Sequence, residues 1–138
     1  DTAPAMSRAN VELVRTMYTV WNERQGVDEA LAFLAEDFEF VNPHYALEPG
    51  TRHGHAGWLE AMGSLGAAFH HHDHEVHEVR DLGDRVLAFT TFVAQTNPNG
   101  PSFRQDEPHL WSLRDGKVTR LQWFHDRAEV LEAAGLSE

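Results

Sequence analysis

Cysteine is absent from this 138-residue chain, which excludes disulfide staples and any thiolate site. Basic residues are scarce: 11 Lys and Arg stand against 22 Asp and Glu, a formal charge of −11. That balance excludes nucleic acid as a partner, because phosphate contacts require clustered cations, and it disfavours polyanionic substrates. No apolar run approaches the ~20 residues of a membrane-spanning helix. Repeats, low-complexity segments and linkers are lacking as well. What is left has 41% hydrophobic residues, enough for one domain with a real core. The opening residues have neither the basic region nor the apolar stretch of a signal peptide. The expectation is a soluble, cytoplasmic chain, with residues 1–6 a remnant or disordered start and 7–138 a single domain.

Helices come early. Ser7 or Asn10 can cap a first helix to about Arg24, with Val11, Val14, Tyr18 and Trp21 at helical spacing. Gln25-Gly26 should end it. Asp28 can cap a short second helix that buries Leu31, Leu34 and Ala35. Residues 38–42 alternate as a strand that stops at Pro43. A loop with Pro49-Gly50 follows. The third helix, about 56–69, carries Trp58, Met62, Leu65 and Phe69 on one face. Strands are then expected at 72–81 and 85–95, followed by a long hairpin from Phe103 to Asp126. A last helix closes at Gly135. The order gives an α+β class: a strongly bent antiparallel sheet wrapped around the N-terminal helices, leaving a cone with an open mouth.

The hairpin turn decides which side chains share a face. A two-residue Asp115-Gly116 loop would put His109 and His125 on opposite sides. A three-residue Arg114-Asp115-Gly116 loop gathers His109, Trp111, Leu113, Leu121, Trp123 and His125 on one face. The other face then holds Leu110, Ser112, Arg114, Val118, Arg120, Gln122 and Phe124. Burial favours the three-residue loop, since it separates the aromatic set from the more polar one. An apolar wall with two imidazoles could serve as acid and base near neutral pH.

Other candidates have simpler explanations. His70, His72 and His74 alternate and could converge on a metal, but they sit at a helix-to-strand junction on an expected edge. Neither metal nor cofactor is expected. Asp126 opens the last helix at capping-box spacing with Glu129, so it is read as a cap. Tyr45, with His44 and His53, belongs to a loop that should rim the mouth. The outward Leu110, Val118 and Phe124 suggest burial against a second copy, hence a homodimer.

The strings ELVRTMYTVWNE, AFLAEDFEFVNP, ALEPGTRHGHAGW and HLWSLRDGKVTRLQWFHDRAEVLEAAGL resemble the SnoaL-like branch of the nuclear-transport-factor-2-like superfamily. The resemblance spans about 7–136 and implies the cone-shaped fold. It also implies an apolar small molecule as ligand or substrate. Ketosteroid isomerases of the superfamily carry their base in a Val-x-Asp-Pro context. Here the string is Phe40-Val41-Asn42-Pro43, and Asn42 cannot take a proton. Limonene epoxide hydrolases have Asn at that place, where it holds the attacking water. Their catalytic Asp, two residues after a strand Trp, corresponds to His125. The isomerase's oxyanion-hole acid corresponds to His109, and its tyrosine to Met17 or Tyr18. These departures exclude the standard mechanisms. The resemblance therefore implies His125, His109 and Asn42 as catalytic candidates, with Trp111, Trp123, Phe40, Tyr18, Tyr45 and Trp58 lining the pocket. The activity would be isomerase, cyclase or dehydratase chemistry by His-mediated proton transfer. The alternatives are a non-catalytic small-molecule binder and an epoxide-hydrolase-like enzyme with altered residues.

Overall fold

A computed structural model of the chain describes residues 2–23 and 27–137. Helix α1 spans Thr2–Asn22 and begins ahead of both expected caps. Asn10 instead donates from Nδ2 to Gly83 O at 2.9 Å, tying α1 to a distant turn. The expected break at Gln25–Gly26 lies outside the described residues. Helix α2 (Val27–Ala30) runs into a short 3-10 turn at Leu31–Phe33. Strand β1 (Leu34–Asn42) starts earlier than its alternation suggested, and the segment read as loop contains a second strand, β2 (Gly50–His53).

Helix α3 (Gly54–Ala68) leads to β3 (His71–Asp81) and β4 (Arg85–Gln95). The expected hairpin strand from 103 is divided into β5 (Phe103–Asp106) and β6 (His109–Arg114), followed by β7 (Lys117–Trp123) and α4 (Arg127–Ala133). The division falls at Glu107-Pro108, where proline has no N–H for the ladder. Register passes unbroken through it: Thr91 pairs with Asp106 and Ala88 with His109. Glu107 keeps its own bonds, donating N–H to Thr90 O at 2.9 Å and accepting from Thr90 Oγ1 at 2.6 Å.

The sheet order is β2-β1-β7-β6-β4-β3, with β5 beside β4. All pairs are antiparallel except β1 and β7, which run parallel and make the sheet mixed. Irregularities in β1, β3 and β7 bend it, as bulges do. The concave side holds the main core: Val14, Met17 and Tyr18 from α1, Trp58 and Met62 from α3, and Phe38, Trp111, Val118 and Leu121 from the sheet.

The hairpin turn corrects one expectation and explains why its consequence survives. Arg114 pairs with Lys117, and Asp115 and Gly116 have φ of 52° and 76°. This is the two-residue loop of primed type, whose positive φ angles match the twist of the flanking strands. The extra residue sits at Thr119, skipped between the pairs Leu113–Val118 and Ser112–Arg120. That bulge restores the parity, so His109, Trp111, Leu121 and Trp123 share the concave face. Val118, assigned outward from sequence, faces the core instead.

The convex side of β4 and β6 is covered by α4. Leu87, Phe89 and Leu110 pack there with Val130, Leu131 and Ala134, and Phe124 packs alongside. The apolar surface that suggested a second copy is thus filled from within the chain. Asp126 caps α4, accepting from Ala128 N at 2.9 Å, and Gly135 follows with a φ of 76°.

Gly57 brings α3 against β2. A Cβ there would lie 2.7 Å from the carbonyl carbon of Arg52 and 3.0 Å from its oxygen, a clash with backbone. Gly57→Ala is expected to lower stability by about 1–3 kcal/mol, as overpacking does. Urea denaturation would measure the loss, and an unchanged midpoint would contradict the close approach.

Candidate active site

Between the concave sheet, α1 and α3 lies a cavity of about 460 Å³. Trp21, Phe40, Phe69, Phe92, Phe103 and Trp123 make its apolar wall. Polar groups enter at few places: Asn42, Tyr45, Glu48, Arg52, Ser64, His74, Gln105, Glu107 and His125. An apolar cleft with few, grouped polar side chains is the usual form of a small-molecule site.

The residues expected to act divide into three groups. Asn42, Phe40, Tyr45, Trp123 and His125 line the cavity. Asn42 is committed to its neighbour, since its Oδ1 accepts from Trp123 Nε1 at 2.6 Å. His125 lies beyond the end of β7 and is exposed at the mouth, where its backbone N–H donates to the Tyr45 hydroxyl at 2.8 Å. Trp58, Trp111 and Tyr18 belong to the core and are absent from the cavity wall. His109 is fully buried behind that wall. The two imidazoles expected to share the cavity therefore occupy different depths.

What connects His109 to the cavity is a residue the sequence reading passed over. Alternation along the strand places Gln105, Glu107, His109 and Trp111 on one face, and Glu107 reaches the cavity with its side chain 13% exposed. Its Oε2 is 2.7 Å from His109 Nε2 and 2.9 Å from His74 Nε2. Tyr18 Oη lies 2.5 Å from His109 Nδ1, and Trp111 Nε1 donates to Tyr18 Oη at 2.9 Å.

Donor counting orients this chain. The indole N–H can only donate, so the Tyr18 oxygen accepts it and its O–H points to His109 Nδ1. His109 then carries its proton on Nε2 and donates to Glu107. Every dipole in the series points toward the carboxylate.

The electrostatics follow. Burial alone pushes the Glu107 carboxyl up, but hydrogen bonds from His109 and His74 outweigh it and hold the group at about 2. Burial pushes His109 below its ordinary 6.5, against the opposing pull of Glu107, so its ring is neutral at physiological pH. Burial also raises the Tyr18 phenol well above 10, which keeps its proton in place.

His74 is the cavity-facing member. It is 3% exposed, on edge strand β3, and packs 4.1 Å from the Trp21 ring. Asn22, at the end of α1, fixes its backbone: Oδ1 accepts from His74 N at 2.8 Å and Nδ2 donates to His74 O at 2.9 Å. With Nε2 on Glu107, its Nδ1 is buried and has no partner, and Trp21 Nε1 is likewise buried without one. The His70–His74 run thus contributes one ring to the site. His72 also turns inward, and burial, then neighbouring imidazoles, lower it to about 4.

His74, Glu107 and His109 are also the one trio among the described residues able to hold a metal, their ligating atoms lying within 4.8 Å of one another. Metal binding would require both Nε2 atoms to give up the protons now shared with one carboxylate oxygen. Those bonds already engage both Nε2 atoms and the carboxylate oxygen between them. Dialysis against a chelator is expected to leave the Tm unchanged, and a fall reversed by zinc would contradict this.

Comparison with known proteins agrees with this architecture. The chain belongs to the SnoaL-like domain family, whose model matches residues 14–121. Among solved structures it is similar to TerC, crystallised with polyporic acid, at 30% identity over 90% of this chain and 96% of that one, with a TM-score of 0.74. An NTF2-like protein of unknown function from Burkholderia pseudomallei K96243 matches at 24% identity over 90% and 95%, with a TM-score of 0.75. A protein from Jannaschia sp. CCS1 assigned as a SnoaL-like polyketide cyclase matches at 18% identity over 96% of both chains, with a TM-score of 0.75. The last two likenesses define the fold alone. No curated protein matched the sequence.

Proposed function

We propose that this protein is an enzyme that moves a proton on a small, flat, largely aromatic molecule carrying a carbonyl or hydroxyl group. Isomerisation, cyclisation and dehydration all fit that description. The supporting observation is the His74–Glu107 pair in the wall of the apolar cavity, with His74 Nδ1 unpartnered.

An imidazole held through one nitrogen by a carboxylate is set up to work through the other. Once substrate entry shifts the side chains that cover it, His74 Nδ1 takes a proton from a substrate C–H or O–H, and the imidazolium formed is stabilised by Glu107. Trp21 Nε1–H supplies a donor for the oxygen on which negative charge develops. Returning the proton to a different substrate atom completes an isomerisation or a ring closure. Glu107, with a carboxyl at about 2, is too weak a base to take the proton itself, so it acts by positioning and charge. His109, Tyr18 and Trp111 orient Glu107. His125 and Tyr45 stand at the mouth and act on entry rather than on the reacting atoms.

The small-molecule part of the reading is supported by TerC, which was crystallised with a small ligand. The test is solvent-deuterium exchange. Aryl ketones and phenols would be incubated in D2O with the protein, and loss of the acidic C–H signal followed by NMR. Accelerated exchange that depends on His74 is the expected result; no acceleration for any such compound would count against proton transfer.

A further inference from the structure

Among the described residues, the cavity wall contains a single Lys or Arg side chain, Arg52. It comes from β2, and Gly57 lets α3 pack directly on its backbone, which fixes where it starts. Its side chain is only 21% exposed. The guanidinium donates to Glu48 Oε2 and, at 3.3 Å, to Ser64 Oγ. Both bonds leave from Nη2, and no partner among the described residues takes the N–H groups of Nη1 and Nε. Glu48, by contrast, belongs to the loop between β1 and β2 and is 70% exposed.

We propose that Arg52 is the anion subsite of this cavity, that its substrates are aryl acids, and that the Glu48 carboxylate occupies the substrate anion's place when the cavity is empty. An exposed ion pair contributes little, so a ligand carboxylate or enolate can displace Glu48 at small cost. The exchange gains more than it loses, because a guanidinium partly removed from water binds a planar carboxylate through two parallel bonds. The apolar rings of Phe69, Phe103 and Trp123 then cover the aryl part. The negative surface does not oppose this. One half-buried cation beside the ligand acts at contact distance, whereas distant surface charges are screened beyond about 8 Å at physiological salt.

The proposal rests on the cavity holding an organic ligand, not on proton transfer. Its test is therefore binding. Quenching of Trp21 and Trp123 fluorescence would be titrated with 4-biphenylcarboxylate and with the neutral 4-biphenylcarboxamide. The acid is expected to bind about tenfold or more tightly than the amide, a difference near one charge-assisted contact. Glu48→Gln should widen the preference severalfold, since the internal competitor is gone. Arg52→Gln should erase it, and Arg52→Lys should retain part of it. Equal affinity for acid and amide, undetectable binding of both, or an unchanged preference in Arg52→Gln would overturn the proposal. Preferential acid binding without any deuterium exchange would leave Arg52 standing and remove the proton-transfer reading instead.

Discussion

Replacing His74 by alanine is expected to lower the rate of solvent-deuterium exchange by about 10²–10⁴-fold, the usual contribution of a positioned acid–base group. The substitution removes a buried, unpartnered imidazole nitrogen from the cavity wall while leaving the aromatic lining intact. Affinity for the substrate should change little by comparison, so the loss belongs in kcat. Glu107→Gln should produce a comparable fall for a different reason. The amide still accepts one imidazole N–H, but it no longer offsets the charge that forms on His74. His125→Ala should change KM more than kcat, because that ring stands exposed at the mouth. Steady-state kinetics on any substrate found by the exchange screen would separate these outcomes. A full loss in His125→Ala together with an active His74→Ala would reverse the assignment.

The second large effect is on acid stability. Glu107 titrates near 4.5 in an unfolded chain and at about 2 in the fold. Between those values the unfolded state binds more protons, so stability falls as pH falls. The contribution is fully present above about 4.5 and is lost as pH drops toward 2. A shift of this size corresponds to about 3 kcal/mol. His109 and His72 act in the same direction at higher pH, since both are lowered from 6.5. Their loss begins just below 6.5 as the unfolded chain takes up protons. Chemical denaturation should therefore show stability declining in two stages, first below pH 6.5 and again below 4.5. In Glu107→Gln the lower stage should flatten, and the neutral-pH stability should drop by about 1–3 kcal/mol as the two imidazole N–H groups lose the charged acceptor they share. An unaltered lower stage in the variant would mean that other carboxylates cause it.

Much of this fold could be read from residue spacing. Trp58 and Met62 declared the inner face of α3, and alternation in the hairpin declared the concave side of β6 and β7. The turn was misread because two features cancel. The two-residue loop shifts the pairing by one, and the bulge at Thr119 shifts it back. Periodicity reports the sum and hides the parts. Strand β2 escaped because its four residues lie in a stretch whose Pro49-Gly50 pair reads as loop.

The site was half legible. Phe40, Tyr45 and Trp123, expected to line a pocket, and Asn42 and His125, expected to be catalytic, all line the cavity. Depth was what sequence could not supply. Tyr18, Trp58, Trp111 and His109 share the right faces but sit beneath the cavity, because parity along a strand says nothing of distance from the mouth. Glu107 was available to the same argument, two residues before His109 on the same face, but Pro108 interrupts the strand and draws attention from it. His74 was concealed by its neighbours. The alternating His70, His72 and His74 raise the thought of a metal, whereas the feature that singles out one of them is a long-range contact to Asn22 at the end of α1.

The arrangement of protons in the histidine–glutamate cluster is the point on which the rest depends, and nitrogen-15 NMR reads it directly. In neutral rings of both His74 and His109, long-range proton–nitrogen correlations should show Nε2 protonated and Nδ1 bare, with Nε2–H resonances displaced downfield by the Glu107 carboxylate. Finding the proton on Nδ1 of His74 would deprive the cavity of its base and contradict the account.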